Sequence, residues 1–120
     1  GTHPSYSYDS RLILEAGTSA AQNGCDVTLT GAVKGAKCLV QYLAPGNGQL
    51  SITQETGYKH IDYTVTASTA TVFVSVLCPY GADATPPSAS INAAGDTITI
   101  TRGAVSEQLS LSSSVIELKK

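Results

Sequence analysis

The chain has 120 residues, a net charge of −2 and a hydrophobic share of 42%, and only 13% of its residues are charged. This size and apolar content predict one domain with its own core and exclude an intrinsically disordered protein. The Lys and Arg residues are scattered, and only Lys119 and Lys120 are adjacent, so no basic run for nucleic acid is present. No apolar run approaches the roughly 20 residues that span a bilayer. We therefore expect neither a nucleic-acid partner nor a membrane partner.

The first nine residues are predicted to form a flexible lead. The chain does not begin with Met, and Gly1 is typical of a cloning remnant. No signal peptide is visible. We expect a lead over residues 1–9 and a single β domain over residues 10–120, with no internal linker.

The dominant period of the sequence is two, as in "HIDYTVTA" and "DTITITR", where apolar residues alternate with polar ones. This pattern is typical of strands with one dry face and one wet face. The segment "EAGTSAAQNG" is the best helix-like candidate, but its Gly, Thr and Ser residues weaken it. Strands are predicted at residues 10–16, 26–31, 36–43, 49–54, 60–67, 70–78, 88–92, 96–102 and 106–111, with 115–118 as a tenth.

Strand starts fall every 8–12 residues, with a Gly-containing turn signal between most of them. This spacing is typical of a sandwich or a barrel. The sequence therefore predicts an all-β fold, an antiparallel two-sheet β-sandwich of about nine or ten strands.

Two segments, "AKCLVQYLA" and "TVFVSVLC", are apolar on nearly both faces. Strands that are buried on both sides have this composition, so we expect these two to be central in a sheet or to cover the surface of a partner. Pro79 follows the second segment and cannot donate to a sheet ladder, so it either ends the pairing or marks an edge strand. Within this segment one face is predicted to carry Val72, Val74, Val76 and Cys78, and the other Phe73 and Leu77.

The three cysteines, Cys25, Cys38 and Cys78, form no CxxC pair, so the sequence predicts no zinc site. Cys38 and Cys78 lie in apolar strands, where a free cysteine packs as a small hydrophobe. This environment favours three free thiols, while one disulfide with one free thiol remains the alternative.

His60 and Asp62 share one face of a predicted strand, opposite Ile61, so a contact between the two side chains is conceivable. We expect His60 to be exposed to solvent and the pair to be structural, because polar pairs on an outer strand face are common. Calcium-loop, nucleophile-elbow and phosphate-loop motifs are absent from the sequence. We predict no catalytic residue, no metal and no cofactor.

Tyrosines are the candidate glycan contacts, because sugar-binding modules stack pyranose rings on flat side chains. Tyr42, Tyr58 and Tyr80 are the candidates, although the chain contains no Trp. A structural role competes with this interpretation, since a Tyr ring packs well at a domain edge while its hydroxyl reaches water.

Residues 58–111 resemble the end of heparinase II/III-like polysaccharide lyases. In that family an apolar strand runs into Pro-Tyr, and after a variable loop come two short strands with a Gly-Asp-Thr start and an Arg-Gly turn. The matching residues here are Phe73, Val74, Val76, Leu77, Pro79 and Tyr80, then Gly95, Asp96, Thr97, Ile98, Ile100, Arg102 and Gly103.

The resemblance implies a non-catalytic carboxy-terminal accessory domain of a bacterial lyase, periplasmic or extracellular. It would support the remaining domains of the parent chain, its main partners, and contact polysaccharide at most weakly. No catalytic residue of the family carries over to a position in this chain. Two alternatives stay open: an independent carbohydrate-binding module, and an immunoglobulin-like spacer or adhesion domain of a bacterial surface protein. Strand order separates the last of these from the lyase domain, for which we expect a meandering two-sheet sandwich.

Overall fold

The computed structural model describes residues 4–69, 71–111 and 116–119. Every regular element in these ranges is a β-strand, and every pairing is antiparallel. The strands are β1 (Tyr6–Glu15), β2 (Ser19–Asn23), β3 (Asp26–Thr30), β4 (Lys37–Ala44), β5 (Gln49–Glu55), β6 (Tyr58–Ala67), β7 (Val74–Tyr80), β8 (Ser88–Ile91), β9 (Thr97–Arg102), β10 (Val105–Leu111) and β11 (Ile116–Lys119).

The strands form three sheets, so the all-β antiparallel prediction is confirmed but the simple two-sheet sandwich is not. Sheet A has the order β1-β6-β5, sheet B has the order β2-β3-β4-β7, and sheet C has the order β11-β10-β9-β8. Immunoglobulin domains place their first, second, fifth and fourth strands in one sheet opposite the third, sixth and seventh. Neither sheet A nor sheet B has such an order.

Sheets A and B enclose the main core. Val27, Val40, Ile61 and Tyr63 are completely or almost completely buried there, and the alternating residues of β6 face inward as the period of two predicts. The ring of Tyr42 stacks on Tyr63, with centroids 4.8 Å apart and planes 17° from parallel. Apolar side chains from both sheets therefore form one continuous cluster, and burial of apolar surface of this kind is the main source of folding stability.

Two boundaries near the amino terminus differ from the prediction. Residues 6–9, expected in a flexible lead, begin β1 and pair with residues 64–67 of β6, while residues 1–3 lie outside the described part of the chain. The helix-like segment instead contains β2, which turns through Gly24, at φ 62°, into β3. β2 is an edge strand of small and polar residues, so it lacks the apolar alternation that would have marked it as a strand.

Sheet C meets sheet B through one buried polar side chain. Gln41, on β4, accepts a hydrogen bond from the backbone N–H of Ala89 (2.6 Å) and donates to the Ala89 carbonyl (3.3 Å) and to Asp26 (3.3 Å). Because Ala89 lies on β8, an outer strand of sheet C, the Gln41 amide pairs with that edge as a neighbouring backbone would. Arg102 adds a hydrogen bond to the carbonyl of Pro79 (3.0 Å).

The two doubly apolar segments, expected to be central in a sheet or to cover a partner's surface, differ in position. β4 lies inside sheet B, but β7 forms its outer edge among the described strands. The predicted alternation is confirmed over β7, since Val74, Val76 and Cys78 are more buried than Ser75 and Leu77. Pro79 stays in register with Cys38, so it does not end the pairing, and its missing N–H fits an edge strand.

Candidate functional site

The outer face of sheet A carries a cluster of three ionisable side chains, of which His60 and Asp62 are buried and Arg11 is half-exposed. Ile61 and Tyr63 of β6 face the core, so the intervening His60 and Asp62 lie on the opposite face. The register places Arg11 of β1 opposite Asp62, and Thr53 of β5 opposite His60. The central position of β6 in sheet A is therefore what brings three strands together around this pair.

Asp62 binds both of its neighbours at short distances. Its Oδ1 accepts a hydrogen bond from Arg11 Nε at 2.6 Å, and its Oδ2 lies 2.6 Å from His60 Nδ1. The contact between His60 and Asp62, which the sequence made conceivable, is present. The expectation that His60 is exposed is wrong, because the residue is only 7% exposed. As β6 is the middle strand, side chains from β1 and β5 cover its outer face from both sides.

The charge on Asp62 decides the tautomer of His60. Burial would raise the pKa of Asp62, but the hydrogen bonds from Arg11 and His60 outweigh it and hold the pKa below its usual value. Hydrogen bonding to Asp62 also raises the pKa of Arg11. The carboxylate is therefore ionised and accepts a hydrogen bond from Nδ1–H of His60. With the proton on Nδ1, the lone pair of the uncharged imidazole ring would lie on Nε2.

Nε2 of His60 makes no hydrogen bond to any described residue. The His60 side chain keeps 9% of its surface exposed to solvent. A histidine oriented by a carboxylate, with its second nitrogen free, is able to accept a hydrogen bond or a proton from a bound molecule. Groups of three or more metal-ligating side chains do not occur among the described residues.

The three tyrosines predicted as glycan contacts lie in two different sheets. Tyr58, on β6, is 37% exposed on the outer face of sheet A, and its ring centroid is 6.2 Å from that of His60. Tyr80 ends β7 in sheet B, opposite Lys37, and is half-buried. Tyr42 belongs to the core and is only 7% exposed, so its ring offers little surface for stacking. No common platform of the three rings exists.

A second surface lies between sheets B and C. We call it the β7 groove. It encloses about 780 Å³ and its lining is almost entirely apolar. One wall is formed by Val72–Leu77 at the edge of sheet B, and Leu77 is still 50% exposed. The opposite wall consists of Gly95, Ile98, Ile100, Leu109 and Leu111. The sequence signal for this surface was the segment "TVFVSVLC", which is apolar on nearly both faces. Its composition indicated burial but did not show which surface would cover the strand.

The cysteines are structural in this environment. All three are free thiols, as predicted, and Cys78 is buried. Burial raises the pKa of the Cys38 thiol, and the nearby Cys78 raises it further. Since the thiolate is the nucleophilic form, this shift makes Cys38 less reactive than an exposed cysteine.

Comparison with known proteins found no matching family model, no matching curated protein and no matching solved structure. Within the described residues, no helix has the length and apolar character needed to cross a membrane.

Proposed function

We propose that this chain is a non-catalytic accessory β domain of a larger heparinase II/III-like polysaccharide lyase. In this proposal it supports the catalytic domains of a bacterial enzyme that acts in the periplasm or outside the cell. Its partner is the rest of the parent polypeptide, which covers the β7 groove. Glycan contact, where it occurs, involves the outer face of sheet A.

The observation that carries the proposal is the open apolar edge of sheet B. Edge strands are normally protected by charged residues, and β7 has none from Val74 to Tyr80. Val72 is 77% exposed and Leu77 is 50% exposed beside an apolar groove. Contiguous apolar surface of this kind is typical of a site that another protein surface covers.

The residues that carry the family resemblance also form this surface. Phe73, Val74, Val76 and Leu77 line one wall of the β7 groove, and Ile98 and Ile100 line the other. A pattern shared with the end of a multidomain enzyme would therefore describe a docking surface rather than a reactive site. This coincidence supports a structural role within a larger chain.

The proposal is tested with the purified domain and a parent enzyme truncated before it. We expect the domain alone to be folded and to form no unsaturated uronate product, followed by ultraviolet absorbance. Added to the truncated enzyme, it should bind and raise its melting temperature. L77K should weaken this binding, whereas V105K should not, because Val105 is similarly exposed but lies outside the groove. Product formation by the domain alone, or the absence of binding, would overturn the proposal.

An independent carbohydrate-binding module is the second candidate. The exposed ring of Tyr58 near the His60 ring favours it, because both lie on the outer face of sheet A. Titration with oligosaccharides up to millimolar concentration tests this candidate, and no binding at that concentration contradicts it.

A further inference from the structure

We propose that the outer face of sheet A binds an uncharged saccharide, which stacks on Tyr58 and donates a hydroxyl hydrogen bond to Nε2 of His60. This inference rests on the second candidate function, an independent carbohydrate-binding module, and names the ligand chemistry and the recognising residues. Here the outer face means the side-chain surface of β1, β6 and β5 that points away from the core.

Tyr58 and His60 supply an apolar surface and an acceptor side by side. They are two residues apart on β6, so they share one face, and their ring centroids are 6.2 Å apart with planes at 36°. A pyranose has an apolar face formed by C–H groups and a rim of hydroxyls. A ring lying on Tyr58 would therefore bring hydroxyls towards His60.

The acceptor on His60 is already oriented before any ligand binds. Asp62 holds Nδ1 at 2.6 Å, and Arg11 holds Asp62 at 2.6 Å from the neighbouring strand. His60 is buried except for a small part of its ring, so its side chain has little freedom left to lose on binding. Nε2 lacks a partner among the described residues, and a sugar hydroxyl is a donor that would supply one.

The charges around Nε2 favour a ligand without negative charge. Carboxylates on this face come from all three strands: Asp9 and Glu15 on β1, Asp62 on β6, and Glu55 on β5. Arg11 is the cation that faces them, and two of its nitrogens are already committed to Asp62. The same face of β5 adds the neutral polar side chains of Gln49, Ser51 and Thr53, all exposed. A face of polar groups without net positive charge binds the hydroxyl groups of a neutral sugar more favourably than the anionic groups of uronates or sulfated sugars.

The experiment titrates the whole chain with neutral hexasaccharides of cellulose, xylan and mannan, and with hexagalacturonate as the anionic probe. Binding is followed by calorimetry and by the ¹⁵N resonances of the His60 ring. We expect one neutral ligand to bind more tightly than hexagalacturonate and to shift the Nε2 resonance while leaving Nδ1 nearly unchanged. Y58A should weaken binding about tenfold. Y6A serves as the matched control, because Tyr6 is also exposed but lies on the opposite face of sheet A.

The outcomes separate this inference from the candidate carbohydrate-binding function. No binding of any probe at millimolar concentration contradicts both. Binding that Y58A leaves unchanged, or that leaves the Nε2 resonance unmoved, overturns this site while the carbohydrate-binding candidate survives at another surface. Binding of hexagalacturonate at least as tight as that of the neutral ligands overturns the assignment of an uncharged ligand. Because the ring resonances are read on the unmodified chain, the test does not depend on a His60 variant that folds.

Discussion

At the scale of single residues, Gly48 is required by the ring of Tyr63. The Tyr63 hydroxyl accepts a hydrogen bond from the Gly48 N–H (3.0 Å) and donates to the carbonyl of Pro45, so one buried ring holds the loop between β4 and β5. A Cβ at position 48 would lie 2.2 Å from Cζ of Tyr63. The fully buried ring has no room to retreat.

We therefore expect G48A to lower the free energy of unfolding by about 1–3 kcal/mol, the usual cost of overpacking a core. G46A is the control from the same loop, since a Cβ there meets nothing within 4 Å, and it should change stability by less than about 0.5 kcal/mol. Urea unfolding of the two variants measures the difference. Equal stabilities would show that the loop moves freely away from Tyr63.

The second prediction at this scale concerns acid. The pKa of Asp62 is lower in the folded state than its ordinary value of 3.8, so its carboxylate stabilises the fold above that pH. The contribution is lost as the pH falls through the lower pKa of the folded state. D62N should cost about 1–3 kcal/mol at pH 7, since the side chain loses its charge and leaves Arg11 and His60 without an ionised acceptor.

The difference in free energy of unfolding between D62N and the original chain should become smaller as the pH falls below 3.8. Denaturation curves at pH 7 and at acid pH measure this trend. D83N is the control, because Asp83 is exposed in a loop and the structure gives it no hydrogen bond or ion pair to a described residue. A difference in stability between D62N and the original chain that does not change with pH would contradict the ionic role of Asp62.

At the scale of elements, the period of two was enough to predict most strands and the face on which each side chain lies. It also placed His60 and Asp62 on one face, where a contact between them was conceivable, because residues two apart share a face. It could not predict Arg11 as their partner, since this depends on the pairing of β1 with β6, strands about 50 residues apart in the sequence. It missed β2, whose residues are small and polar. For β7 it left open a central position or a covering partner, since apolar composition indicates burial but not the surface that covers a strand.

The junction between β4 and β8 gives the prediction at this scale. Gln41 is buried, and both halves of its amide pair with Ala89. Q41E keeps the shape but replaces the donor with an oxygen, which then faces the carbonyl of Ala89 and the carboxylate of Asp26. We expect a loss of about 3 kcal/mol at pH 7, with part of it recovered when acid protonates the new carboxyl.

Q22E makes the same chemical change on β2, where the side chain of Gln22 is exposed and donates to the carbonyl of Gly24. Q22E should leave the stability of the fold nearly unchanged. Thermal unfolding of both variants at pH 7 and pH 5 provides the measurement. A Q41E variant as stable as Q22E would show that the amide does not hold the edge of β8.

At the scale of the whole molecule, the three sheets do not share the core equally. The buried cluster of Leu14, Val27, Leu29, Val40, Tyr42, Ile61, Tyr63 and Val65 comes only from sheets A and B. In the described part of sheet C, Ile98 is the buried apolar residue, at 4% exposed, and it lies outside this cluster. Sheet C is attached to sheet B by the amide of Gln41 and by the hydrogen bond from Arg102. The apolar groove between the two sheets is open on one side.

Local stability follows the number of buried apolar contacts, so we expect the sheets to open separately. Native-state hydrogen exchange should show backbone amides of β9 and β10 exchanging through an opening of lower free energy than those of β4 and β6. Q41L should lower the free energy of that opening while leaving the protection of β6 unchanged, because the contact it removes lies between sheets B and C.

If a partner covers the β7 groove, its binding should raise the protection of β9 and β10 by more than that of sheet A. If the amides of all three sheets instead exchanged at one global rate, sheet C would open with the same free energy as the core. Sheet C would then need no covering partner to stay folded.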